Sequence, residues 1–241
     1  RYMLGGVVTT IDALNAMATL ESQEECEKQV AVADRLVITK TDLINRLDPE
    51  GSLGELQARL SALNPTAIIL DRHDPEFDYK RLFDTSLFDP DTKSVNVRSW
   101  LNAEASGDHH SQNTNQGHAH DHHHHHHHHD VTRHGTDIRS FTLTFDEPVT
   151  IETFASSLEA LSLTQGSSIL RLKGIVNTID RPGMPLVIHG VQHVFHDPVW
   201  LDEWPDEDHQ TKLVFITKGI ERETLDMFFK AWISSSKGSW Q

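Results

Sequence analysis

The stretch Gln29-Val30-Ala31-Val32-Ala33-Asp34-Arg35-Leu36-Val37-Ile38-Thr39-Lys40-Thr41-Asp42 decides how this chain folds. Its first part completes a helix that opens near Glu24 and runs to Ala33. Arg35 to Ile38 is then a short apolar run without alternation, the mark of a strand buried on both faces. Thr39 to Asp42 follows as a polar turn at that strand's carboxyl end. Upstream, Gly6 leads into Val7-Val8-Thr9-Thr10-Ile11-Asp12, a second β-branched strand. Downstream, Leu53, Leu56, Leu60 and Leu63 repeat at spacings of three, four and three, one apolar helical stripe. Ala67 to Leu70 forms a third strand. Strand, helix, strand, helix, strand is the rhythm of a parallel sheet with crossover helices, so residues 1–93 read as half of a doubly wound α/β domain. The abrupt opening at Arg1 gives the expectation of a piece cut from a larger protein.

From Ser94 to Gly135 the pattern dissolves. This stretch carries 13 of the 18 histidines, with Gly, Asn and Gln and too few apolar groups to offset ordering entropy; residues 94–135 are expected to be a disordered linker. Order resumes at Thr136. Arg139 to Phe145 alternates apolar and polar residues, as a strand with one buried face does. Ile151, Phe154, Leu158 and Leu161 make a helical stripe, Ser168–Asn177, Leu186–Phe195 and Leu213–Thr217 read as strands, and Leu225, Phe228, Phe229 and Trp232 close the chain as an amphipathic helix. Residues 136–241 thus read as a small α+β domain.

The 241 residues hold 21 Lys+Arg against 36 Asp+Glu, a formal charge of −15. The excess is spread as −7, −2 and −6 over residues 1–93, 94–135 and 136–241, so no segment would neutralise a phosphate backbone and nucleic acid is an unsuitable partner. No apolar run approaches the ~20 residues of a membrane-spanning helix. Cys26 is the only cysteine; a disulfide within the chain is impossible, and a cytoplasmic setting is expected.

Thr39-Lys40-Thr41-Asp42 carries chemistry. A carboxylate at this turn accepts two parallel hydrogen bonds from guanine N1–H and N2–H₂, a pattern adenine does not offer. The lysine stem can lie along the base plane. Asn64-Pro65-Thr66-Ala67 offers backbone contacts to the same base, or serves only to stop a helix. Nowhere does the chain contain G-x-x-x-x-G-K-[ST], the backbone nest that cradles phosphates. The sequence therefore holds half a nucleotide site.

A second constellation is the histidine tract. His109, His110, His118, His120, His122, His123, His124, His125, His126, His127, His128 and His129 lie close to Asp121 and Asp130. Neutral imidazole suits Zn²⁺, Ni²⁺, Cu²⁺ and Co²⁺, and dense spacing gives overlapping ligand sets without one fixed geometry. That suits loading or buffering rather than catalysis, which needs fixed ligands and an open position. On one continuous strand His189 and His193 would share a face and His196 the other, leaving a second metal site or a solvated sheet face as alternatives. Cys26 reads as helix filler, and Trp200 and Trp204 as a partner-facing loop or core anchors.

These segments resemble the CobW-type P-loop GTPases, a group that includes zinc metallochaperones. The resemblance rests on Gly6 to Ala13, Gln29 to Asp42, the histidine-rich linker, Leu170-Arg171-Leu172-Lys173-Gly174 and Leu213 to Ile216, and spans nearly the whole chain. It implies a P-loop GTPase domain, of which residues 1–93 are the C-terminal half, a metal-binding connector, and a CobW C-terminal domain over residues 136–241. It also implies that Thr39, Lys40 and Asp42 form the guanine-specificity motif. The family's phosphate loop, switch residues and Cys-x-Cys-Cys motif are expected upstream of Arg1, which leaves this chain inactive alone as a GTP hydrolase. An intact parent would use GTP with Mg²⁺ and deliver a divalent metal, Zn²⁺ first, to a metal-requiring client protein. The alternatives are a non-enzymatic metal buffer and a cobalt-handling accessory in cobalamin biosynthesis; a homo-oligomer stays open.

Overall fold

The computed structural model of the chain describes residues 6–47, 52–83 and 137–236. Strands β1 (Val8–Asp12), β2 (Arg35–Thr39) and β3 (Ile68–Asp71) form a parallel sheet in the order β1-β2-β3. Helices α1 (Ala16–Ser22) and α2 (Glu24–Val32) connect β1 to β2, α3 (Thr41–Leu47) and α4 (Ser52–Leu63) lie between β2 and β3, and α5 (Lys80–Phe83) follows. The leucine stripe does what its spacing requires: Leu56, Leu60 and Leu63 are buried with Val30, Ala33, Leu36 and Ile38. Two short helices, α1 and α3, stand where the sequence pattern assigns none, α3 beginning within the turn read at Thr39 to Asp42. Each has seven residues, too few for an apolar stripe to repeat, so periodicity could not announce them.

The second unit is a six-stranded antiparallel sheet. Its strands are β4 (Ile138–Phe145), β5 (Ile169–Val176), β6 (Leu186–Val191), β7 (Val194–Phe195), β8 (Val199–Trp200) and β9 (Thr211–Lys218), ordered β4-β9-β5-β6-β7 with β8 also on β6. Helices α6 (Ile151–Gln165) and α7 (Arg222–Ser236) cover one face. Thr150 caps α6 by accepting from the Thr153 amide at 3.1 Å, satisfying one of the free donors of the first turn. Leu143, Leu161, Leu172, Leu213, Phe215 and Phe229 fill the space beneath, each at most 2% exposed. Gly174 is required there: a Cβ would stand 2.6 Å from Leu213 Cδ2.

The stretch expected as one strand from Leu186 to Phe195 is two, β6 and β7, joined by a tight turn in which Gln192 has φ 53°. The turn overturns the expected side-chain alternation. His193 lies exposed at the bend, while His189 and His196 meet across the strands with ring centroids 4.5 Å apart and planes within 4°.

The sheet's second face packs on the first unit. Strands β4 and β5 lie against α2, and β4 also against α4, with Ala31, Leu170 and Ile216 forming a shared apolar patch. Beside it sits a buried polar joint. Arg171 donates through Nη1 to the Val32 carbonyl at 2.6 Å and through Nη2 to Asp34 Oδ1. The Val7 amide donates to Asp34 Oδ2 at 2.9 Å, and Lys173 donates to the Thr66 carbonyl at 3.1 Å. Burial works to raise the Asp34 pKa, but Arg171, Lys173 and the Val7 amide outweigh it and hold the carboxyl below its ordinary value. Burial pushes the Lys173 ammonium well down, with Arg171 adding to the effect. His189, Nε2 3.8 Å from Asp34 Oδ1, is driven from 6.5 to about 3, chiefly by burial and then by Arg171.

Two outcomes follow from this joint. Arg171→Met, which strands the Asp34 carboxylate, should destabilise the protein by about 3–5 kcal/mol, and adding Asp34→Asn should recover much of that loss in urea titrations. His189 stays neutral when folded at pH values where the unfolded chain binds a proton on it. Its contribution is therefore complete above 6.5 and is lost progressively as pH falls toward about 3. His189→Asn should flatten that limb of the stability–pH curve, measured by urea midpoint at a series of pH values.

Candidate functional site

Asp12, Thr39 and Asp71 are the last residues of β1, β2 and β3. Pairing of Asp12 with Thr39 and of Ile38 with Asp71 brings all three to one edge of the parallel sheet. Open α/β sheets bind ligands at this edge, where the strands end and the chain turns outward. Thr39 gives its hydroxyl to the Ile11 carbonyl at 2.9 Å, stitching β2 to β1. Lys40 alone separates β2 from α3 and takes φ 63°, a left-handed conformation that reverses the chain within one residue at a cost of about 1–2 kcal/mol.

The reversal sends Lys40 back across the edge, where Nζ lies 2.7 Å from Asp12 Oδ2. Asn15 Nδ2 and the Leu14 amide also donate to Asp12, each at 3.0 Å. The Lys40 ammonium first, and Asn15 next, hold the Asp12 carboxyl below its ordinary value. The lysine stem thereby spans the floor between β1 and β2, and its side chain is half exposed.

Asp42 sits in the first turn of α3, one residue past the buried Thr41. Its side chain is 42% exposed, and Oδ1 lies 3.1 Å from His73 Nε2. The other ring nitrogen, Nδ1, is 3.1 Å from Thr41 Oγ1. Thr41 Oγ1 donates to Asp71 Oδ1 at 2.7 Å, and the His73 amide donates to the same oxygen at 2.8 Å. Thus Thr39, Lys40 and Asp42 occupy one surface edge with Asp12, Asp71 and His73. Sequence reasoning missed these last three. The signal was available: Asp12 and Asp71 each follow an apolar run as its final residue, and His73 lies two positions beyond.

Asn64 to Ala67 belongs elsewhere. These residues precede β3 at the sheet's amino edge, opposite Asp42, so of the two alternatives the geometry favours the helix stop over contacts to the base. Asn64 is fully buried. Its Nδ2 lies 2.8, 3.1 and 2.9 Å from the carbonyls of Val30, Ala31 and Ala33, and its Oδ1 accepts from the Thr66 amide and hydroxyl. It ties the end of α2 to the entry of β3. Trp204 is a core anchor, packed with Ile175, Val187, Leu201 and Val214, while Arg181 stands over the half-buried Trp200 ring at 4.7 Å. Cys26 is partly buried against the first core.

The histidines expected to hold metal, His109 through His129, lie outside the described residues. Among the described residues no three His, Cys, Asp or Glu side chains converge as a metal site, and no helix is long and apolar enough to cross a membrane.

Comparison with known proteins matches both units. Residues 1–71 fit the model of the CobW/HypB/UreG nucleotide-binding domain, and residues 138–233 fit that of the cobalamin synthesis protein cobW C-terminal domain. The zinc chaperone YjiA of Escherichia coli K12 is 27% identical over 229 residues, covering 95% of this chain and 61% of that protein. The crystal structure of the Zn(II)-bound YjiA GTPase superposes with a TM-score of 0.63 at 25% identity, covering 96% of this chain and 62% of its own. A Zn(II)-bound triple mutant of that GTPase shares the fold at the same TM-score and 24% identity. The chain therefore spans about three fifths of the length of these relatives. Two domain models matched in order, over more than two thirds of the sequence and on a common fold, place the chain in the CobW-type P-loop GTPase family.

Proposed function

We propose that this chain is the base-reading and client-facing part of a GTP-dependent metallochaperone that delivers zinc in the cytoplasm. The observation that carries the reading is the Asp42 carboxylate, exposed at the carboxyl edge of a parallel sheet beside the half-exposed stem of Lys40. Asp42 accepts guanine N1–H and N2–H₂, Lys40 lines the base plane, and Thr39 fixes the turn that aims both. A partly exposed carboxylate in the first turn of α3, at the sheet's carboxyl edge, fits that edge of the base. Support for zinc comes from the name of the curated relative and from the Zn(II)-bound neighbours. The sequence contains no G-x-x-x-x-G-K-[ST], so grip on the phosphates, and any Mg²⁺ held there, is assigned to groups beyond these residues. We divide the chain into residues 1–93, part of the GTPase domain, 94–135, the metal-collecting connector, and 136–241, the domain that docks a metal-requiring client.

Coupling requires that nucleotide favour one of two states, a difference of a few kcal/mol. Three measurements on the intact protein test the reading. Asp42→Asn should weaken GDP binding by about 2–3 kcal/mol while improving binding of xanthosine diphosphate, whose 2-carbonyl accepts from the new amide. Zn²⁺ should change the rate of GTP turnover, and deletion of residues 109–134 should slow metal transfer without abolishing that turnover. Identical GTP kinetics with and without Zn²⁺ would remove the coupling and favour a passive metal buffer.

A further inference from the structure

The groups facing Asp42 carry the reading of the base one atom further. Guanine presents three polar atoms in a row along its pairing edge: the N2 amino donor, the N1–H donor and the O6 acceptor. A complete complement is acceptor, acceptor, donor in the same order. Asp42 supplies the two acceptors, and His73 Nε2 stands 3.1 Å from Oδ1. We infer that His73 is a specificity-determining residue that donates to O6, so that Asp42 and His73 together copy the hydrogen-bonding face of cytosine. The inference rests on the guanine-reading role proposed for Asp42.

Hydrogen accounting assigns the proton to Nε2. The Thr41 hydroxyl donates to Asp71 Oδ1, so Nδ1 donates to Thr41 Oγ1, and a ring that also donates from Nε2 is the imidazolium. The remaining arrangement sets a bare Nε2 lone pair against a carboxylate oxygen 3.1 Å away, which is repulsive. The favourable arrangement presents one N–H beside Asp42, and that hydrogen is shared between Asp42 Oδ1 and O6 as a three-centre bond when guanine is bound. The ring is also held in place: Thr41 meets Nδ1 from a buried position, and Asp71 Oδ1 accepts from the His73 backbone amide at 2.8 Å. The side chain is 43% exposed, so a ligand can reach it. Adenine meets this row badly at two points, its N1 lone pair facing a carboxylate and its 6-amino group facing an N–H. His73 thereby adds to discrimination that Asp42 begins.

Calorimetric titration of the intact protein with GDP, 6-thio-GDP and inosine diphosphate tests the assignment. Sulfur is a weak acceptor, so 6-thio-GDP removes the O6 bond and keeps N1–H and N2–H₂; inosine diphosphate removes only the 2-amino donor. The wild-type protein should bind GDP about tenfold more tightly than 6-thio-GDP, the scale of one hydrogen bond to a charged or buried partner. His73→Ala should bind GDP more weakly and lose the preference over 6-thio-GDP while still rejecting inosine diphosphate, and His73→Gln, which restores an N–H, should regain part of it. If His73→Ala weakens all three nucleotides in parallel, or leaves the GDP to 6-thio-GDP ratio unchanged, the O6 assignment is overturned and the Asp42 reading stands. If the wild-type protein does not distinguish GDP from inosine diphosphate, the guanine reading fails and the O6 assignment with it.

Discussion

The carboxylate of Asp34 gathers three distant parts of the chain. It accepts from the Val7 amide just before β1, from the Arg171 guanidinium on β5, and it faces the His189 ring on β6. Arg171 in turn reaches the carbonyl of Val32, at the end of α2. Two charges so far from water are tolerated only because each is met by the other and by backbone groups. The joint fixes where β2 begins, and β2 is only five residues long. Its far end is therefore placed by the same contacts that seat the second sheet on the first.

At that far end, geometry rather than composition makes the edge chemical. One left-handed residue, Lys40, ends a strand and starts a helix, and the abruptness of the change brings Thr41 and Asp42 against the end of β3. A longer connection would leave the carboxylate on a loop free to wander. Here Thr41 is buried beneath it and His73 stands beside it, so the group meant to meet a ligand is supported from two sides.

The parallel sheet was legible from the β-branched run at β1 and the apolar runs at β2 and β3, and the second unit from the alternation in β4 and the helical stripes of α6 and α7. Strong local patterns survive any tertiary context. What stayed hidden depended on contacts between distant residues. Asp71 and His73 lie some thirty positions from Thr41, and nothing near them in sequence speaks of the base. Asn64 read as a turn residue because Asn favours turns, whereas its amide is engaged with three carbonyls of the α2 end. The His189 and His196 pairing failed to show because a two-strand hairpin looks like one strand when its turn holds no glycine. Arg171 and Lys173, two cations inside a strand, are buried because the face they share is covered by the first unit, a contact that nothing near them in sequence announces.

The seam around Asp34 also bears on how such a protein can be reassembled by gene shuffling. Residue 34 belongs to the first unit by connectivity, yet half of its satisfaction is supplied from the second. A foreign module grafted in place of residues 138–233 would have to bring its own guanidinium to the same spot, or position 34 would have to be rewritten along with it. The two units are thus inherited more easily as a pair than as interchangeable parts.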